Sequence, residues 1–283
     1  MRETLGTWDF EPISVIALLL LTVLYFVGLR RTNGRSLKLI PWWRPVALVA
    51  GVSSLLIASL SPLHTVGGSL FFAHMIQHII LIMIGPPLIL LGGPIVPVIR
   101  GLPAGLRREI VIPILQNHKC RTLLQICTKP VVAWFVYVGS LWIWHTPRLY
   151  DEAVQNTGIH GLEHVSFVFA SIFFWWCVID PIPMKPKLTG GLRLGYLFLA
   201  TLQNTILGAF ITLSTSPWYS SYMVSSEIFT ALTPLQDQRI GGLIMWIPGA
   251  MMYFLALSIA FFVMIFGEER RVRLMEQKSG RRH

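Results

Sequence analysis

Charge is scarce in this chain of 283 residues: Asp, Glu, Lys and Arg make up 13% of it, against roughly 25% in soluble domains. That shortage excludes an ordinary water-soluble fold. Cysteine is nearly absent too. Cys120, Cys127 and Cys177 form no Cys-x-x-Cys, which excludes a thiolate metal-trafficking motif and a disulfide framework. They are expected to be unpaired packing or loop residues. No Ser-His-Asp context, phosphate-binding loop or acidic pair is visible, and the apolar runs hold almost no carboxylate besides Glu163. Turnover chemistry is therefore not expected: the chain reads as no enzyme. Repeats, low-complexity segments, a soluble domain and a long linker are missing as well. The net charge of +10 would suit nucleic acid, but the placement of the charges argues against it.

What is present is apolar sequence, 54% of the chain, in runs close to the roughly 20 residues needed to cross a bilayer. Spans are predicted at 12–29, 43–61, 70–92, 130–146, 158–180, 192–214 and 240–266. The loops after spans one, three and five and the C-terminal tail together hold 20 of the 23 basic residues; the remainder are Arg2, Arg148 and Arg239. The positive-inside bias then places the N-terminus outside and the C-terminus in the cytoplasm. The expected fold is an all-α bundle of seven transmembrane helices. It forms a single membrane domain over 1–283, with a cytoplasmic loop at 93–129 and a basic tail at 267–283. Met1 to Glu11 has no basic n-region and carries Glu3, Asp9 and Glu11, so span one is expected to persist and not act as a cleaved leader. In the loop, Leu102 to Arg108 followed by Ile110 to Leu115 reads as a short amphipathic helix on the inner leaflet, held by anionic membrane lipids, or as a partner-docking surface. Gly85-Pro86-Pro87 cannot continue a regular hydrogen-bond ladder, so span three should kink there. Gln203 and Asn204 sit near the middle of span six, as interhelical hydrogen-bonding groups or as part of a polar pathway.

The histidines are unevenly placed. Six of eight, namely His64, His74, His78, His145, His160 and His164, fall on the outer side of this topology; His118 and His283 fall inside. Imidazole is costly in hydrocarbon, so ionisable groups at such depths are functional candidates. His74/His78 and His160/His164 are each spaced i,i+4, which puts both rings of a pair on one helical face, about 6 Å apart at Cβ. The four are predicted to converge on one metal site. His145, Met245, Glu163 and Met75 stand at its edge as further ligands or as partners that orient the rings. Imidazole with thioether suits copper better than magnesium or calcium; zinc would accept the imidazoles equally well. Haem is the alternative cofactor, since buried histidines on facing helices are usual axial ligands. One haem needs a single histidine from each helix, which leaves half of each pair unexplained.

At these residues the chain resembles the CtaG family of caa-type cytochrome c oxidase assembly factors. The matching stretches are His74-Met75-Ile76-Gln77-His78 continuing to Gly85-Pro86-Pro87-Leu88, Trp144 to Tyr150, His160-Gly161-Leu162-Glu163-His164 continuing to Phe167, and Pro234 to Gln238 leading into Gly241-Gly242-Leu243-Ile244-Met245-Trp246. Together they cover spans three to seven in order. The resemblance implies a seven-span protein of the bacterial plasma (inner) membrane, needed to assemble a haem-copper terminal oxidase through its copper centres, with the oxidase subunits as partners. Two other readings stay open: a membrane haem-binding or quinone-linked electron-transfer protein using the same histidines, and a copper transporter.

Overall fold

A computed structural model describes residues 12–32, 41–179, 181, 187–223 and 232–280, and these are helical with no strand among them. In chain order the helices are α1 (Pro12–Arg30), α2 (Trp43–Leu60), α3 (Pro62–Gly67), α4 (Phe71–Leu91), α5 (Ile95–Gly101), α6 (His118–Cys127), α7 (Pro130–Trp144), α8 (Pro147–Gln155), α9 (Thr157–Ile179), α10 (Gly190–Leu213) and α11 (Pro234–Gly280). Five of them, α2, α4, α9, α10 and α11, are long and apolar enough to cross a membrane on their own. The helices α1 and α7 are shorter apolar elements at the positions of expected spans one and four, and α7 meets α6 at a 65° bend. Met1 to Glu11 and His283 lie outside the described residues.

The wide lipid-facing exposure of Leu, Ile and Phe along α1, α10 and α11 is what a bundle in hydrocarbon requires, because association there is driven by close packing and not by expulsion of water. Small residues set the close approaches. A Cβ at Gly51 of α2 would lie 2.8 Å from the Gly85 carbonyl of α4, and one at Gly208 of α10 would lie 2.9 Å from the backbone of Trp246 in α11. At the end of α5, Arg31 donates to the carbonyls of Arg100, Gly101 and Leu102 at 3.2, 3.0 and 2.9 Å, satisfying acceptors that the helix leaves unpaired.

The expected kink in span three takes the form of a wide π-helical turn over Ile80–Ile84 inside an unbroken helix. Pro86 has no N–H to offer the carbonyl of Ile82, four residues back. The neighbouring helix supplies the donors: Ser171 Oγ–H and Trp175 Nε1–H of α9 both donate to that carbonyl, the latter at 3.0 Å. The break is thus satisfied within protein, as it must be at this depth.

Two elements run beyond their apolar sequence. The last helix begins at Pro234 and continues through the charged tail to Gly280, helped on its exposed face by i,i+4 pairs such as Glu269–Arg273 at 3.6 Å. The segment expected as loop 93–129 is largely helical, and Leu106, Ile110, Ile114 and Leu115 are all exposed. The span-six amides are committed to neighbours. Trp142 donates to Gln203 Oε1 at 3.1 Å, and Asn204 donates to the Met245 carbonyl at 2.9 Å.

Candidate metal centre

The first turns of α4, α9 and α11 and the last turn of α7 meet at one end of the bundle. Asp237, fully buried near the start of α11, accepts from the backbone N–H of Phe71 at 2.9 Å and of Phe72 at 3.0 Å. A carboxylate at a helix N-terminus satisfies two orphan donors and complements the dipole. It also fixes the height of α4, and with it His74 and His78, against α11. On α9, i,i+4 spacing brings the His160 and His164 rings to 4.1 Å between centroids; on α4 the His74 and His78 rings lie at 4.2 Å.

Across helices the rings close into a cluster. His74 stands 5.2 Å from His160 and 6.1 Å from His164. Glu163 lies among them with no solvent exposure: Oε2 is 3.8 Å from His74 Nε2 and Oε1 is 3.5 Å from His78 Nε2. Ligand atoms of His74, His160, Glu163 and His164 all lie within 4.8 Å of one another, a group that could hold a metal ion. Donors at about 2 Å from an ion are at most about 4 Å apart, so binding asks for a contraction of about 1 Å. His78 falls outside this group of atoms. It lines a small cavity of about 20 Å³ together with Met75, His145 and Met245, room for roughly one water-sized occupant.

The tautomers of two histidines follow from their partners. The Tyr222 hydroxyl donates to the Gly67 carbonyl at 2.9 Å, so its oxygen is left to accept from His74 Nδ1–H at 3.0 Å. His145 Nδ1 faces the Leu141 carbonyl at 2.7 Å and must donate to it. In both rings the proton sits on Nδ1, and the Nε2 lone pair is buried with no hydrogen-bond donor. An outer partner that fixes the tautomer of a ligating imidazole is the usual companion of a metal site. Nine side-chain nitrogens and oxygens of His74, His78, His145, His160, Glu163 and His164 are buried without a hydrogen bond. Left so, each would carry a desolvation cost of about 1–3 kcal/mol.

Sequence reasoning put His64 at this end of the bundle but outside the site, and gave no role to Gln77, Tyr219, Tyr222 or Asp237. His64 stacks on His160 at 5.1 Å, but its lone pair is already used. Gln77 Nε2 must face the Ala58 carbonyl at 2.8 Å, so its second hydrogen goes to His64 Nδ1 at 3.0 Å. Tyr222 and Tyr219 come from the α10–α11 connection, and Tyr219 donates to the His145 carbonyl at 3.1 Å. Asp237 was legible only inside the family-like stretch. A run of aromatics just after α10, Trp218-Tyr219 with Tyr222, was the available signal for the tyrosines.

The connection that delivers Tyr222 is latched by Asp151 of α8. Its carboxylate accepts from the N–H and hydroxyl of Ser220 at 3.0 and 2.8 Å and from the Ser221 N–H at 2.9 Å. Burial pushes this carboxyl up, but the hydrogen bonds from both serines outweigh it and hold the group below its ordinary 3.8. A depressed value means the latch is intact above the unfolded carboxylate range and weakens as pH falls through the lower folded value. Hydrogen exchange should find the Ser220 and Ser221 amides protected at pH 5 and released only as pH falls through the folded value, which lies below 3.8. Asp151→Asn should expose them at every pH, with roughly tenfold faster exchange, the order of one charge-assisted bond.

The family described as cytochrome c oxidase caa3 assembly factor matches residues 23–265, which contain every residue of the cluster. An uncharacterized protein of Mycobacterium bovis and one of Mycobacterium tuberculosis are each 28% identical over 270 residues, covering 87% of this chain and 37% of the relative. An uncharacterized protein of Mycobacterium leprae is 27% identical over 245 residues, 84% of this chain and 36% of its own length. The chain thus spans little more than a third of the curated relatives it matches. No solved structure matches it.

Proposed function

The chain belongs to the family of cytochrome c oxidase caa3 assembly factors, and from that membership we propose that it is a membrane-embedded copper carrier serving a haem-copper terminal oxidase. In this reading it spans the bacterial plasma membrane seven times with the histidine end outward. Copper is held by His74, His160, Glu163 and His164, with His78, His145, Met75 and Met245 beside them, and is passed to oxidase subunits with no turnover of its own. The observation that carries the reading is the pair of fixed Nε2 lone pairs on His74 and His145, aimed into a buried cluster that offers them no hydrogen. Imidazole and thioether donors favour copper over the hard cations.

The packing weighs against the other readings. Ring centroids 4.1–6.1 Å apart leave room for ions between the helices and little for a macrocycle. A transport path through the middle would have to pass Gln203 and Asn204, which are bonded to Trp142 and to the Met245 carbonyl.

The test is metal content and visible spectrum of the purified protein. Copper with no Soret band is expected, and a Soret band would overturn the reading in favour of haem. His164→Ala should leave the protein in the membrane, because Ala favours helix and packing holds the bundle, while copper content and oxidase activity in the same cells fall. Added copper should restore part of the activity by mass action.

A further inference from the structure

We infer that the histidine end of the bundle holds two metal ions side by side, with Glu163 between them. The inference rests on the copper-carrier reading and adds a second site to it. The first position is the His74, His160, Glu163, His164 group described above. The second is the small cavity lined by His78, His145, Met75 and Met245. It is a separate place: none of His74, His160 and His164 lines it.

Three observations point to an ion there. Both ring nitrogens of His78 and Nε2 of His145 are buried without a hydrogen bond, and the two rings stand 5.8 Å apart. The cavity is about 20 Å³, the size of a single small occupant. A water there would find the imidazole nitrogens and the Asn204 amide, whose Nδ2–H is already given to the Met245 carbonyl, and otherwise thioether and aliphatic walls; thioether sulfur is only a weak acceptor. Two imidazoles with two thioethers are soft ligands, the donor set that selects monovalent copper. The neighbouring position, with three imidazoles and a carboxylate, is harder and accepts divalent copper or zinc.

Glu163 joins the two. One carboxylate oxygen faces His74 of the first group at 3.8 Å and the other faces His78 of the second at 3.5 Å. Neither oxygen makes a hydrogen bond. Glu163 does not itself line the cavity and faces it through His78; a fully buried carboxylate is costly, and a cation on each side offsets that cost. Asn204, which holds the Met245 carbonyl at 2.9 Å, is a positioning residue for the thioether side.

The experiment is metal stoichiometry on the full chain purified in detergent. Metal-free protein is loaded anaerobically with Cu(I), then with Cu(II) or Zn(II), and counted by native mass spectrometry and elemental analysis. Two ions per chain are expected. Met245→Leu with His145→Ala should bind one, and the copper X-ray absorption spectrum of the Cu(I)-loaded wild type should contain a sulfur shell near roughly 2.3 Å that this variant lacks. His160→Ala with His164→Ala should lose the other ion and keep the sulfur shell. Met245→Leu alone conserves volume, so a weakened sulfur shell in that variant, with Met75 still present, cannot be ascribed to unfolding. One ion per chain in the wild type, or no sulfur shell, overturns the two-ion arrangement and leaves the carrier reading standing. No bound ion at all overturns both.

Discussion

Replacing Glu163 with Gln should abolish metal retention and oxidase assembly while the protein stays in the membrane in normal amount. The carboxylate is fully buried between α4 and α9, its oxygens 3.8 and 3.5 Å from two imidazole nitrogens and hydrogen-bonded to nothing. As an anion facing cations it contributes to binding through both oxygens; the isosteric amide contributes neither charge. Loss of a ligand or of its close partner costs at least 10–100-fold in metal affinity, by the general run of such substitutions about metal sites. In the metal-free state that contribution is gone. A buried carboxyl with no cation beside it gains nothing from its charge, so the neutral amide should leave the thermal midpoint of the metal-free protein close to that of the wild type. That pairing of a lost function with an unharmed fold is the signature of a group kept for its chemistry. Metal content, melting in detergent and oxidase activity of the E163Q strain read all three quantities. Normal oxidase activity, or disappearance of the protein from the membrane, would overturn the role assigned to Glu163.

How much of this was legible beforehand divides along the range of the interaction. The i,i+4 spacing of His74/His78 and His160/His164 is local, and helical geometry alone put each pair on one face; the rings sit 4.2 and 4.1 Å apart. The apolar runs likewise located a helix at every expected span, five of them long and apolar enough to cross a membrane on their own, because hydrophobic length is a property of consecutive residues. Pro86 announced a break in α4 for the same reason, but not its form. The wide turn over Ile80–Ile84 depends on Ser171 and Trp175 reaching the Ile82 carbonyl from about 90 positions away, and no local pattern encodes that.

The division of the histidines was illegible for a similar reason. Periodicity places His78 beside His74 on the same helix, yet one turn of rise puts it level with His145 and Met245 and not with His160. Which partner it meets depends on the relative height of α4, α9 and α11, and those heights are set by contacts such as Asp237 with the Phe71 amide, 166 residues apart in sequence. The tautomer of His74 depends on Tyr222, 148 residues away. Sequence spacing therefore finds residue types able to ligate, and tertiary packing decides which of them stand together.

Asp237 is the residue on which that packing turns, and Asp237→Ala should be the most damaging single substitution to the fold. The change removes two charge-assisted acceptors from the Phe71 and Phe72 amides at 2.9 and 3.0 Å, each bond to a charged group being worth about 1.5–3 kcal/mol. It leaves two donors at the start of α4 without their acceptor, beside a gap where a fully buried side chain stood. A loss of about 3–5 kcal/mol is expected, a large part of a typical total stability of 5–15 kcal/mol. Steady-state protein should drop several-fold as the unfolded fraction is removed, and oxidase activity should fall with it. Asp237→Asn keeps one carbonyl acceptor and should recover much of the protein. Its remaining deficit would then appear as weakened metal retention, since α4 would no longer be held at the height that places His74 opposite His160. Quantifying membrane-inserted protein for both variants separates the outcomes: wild-type abundance in Asp237→Ala would show that the contact does not hold α4, and the geometry of the metal centre would need another origin.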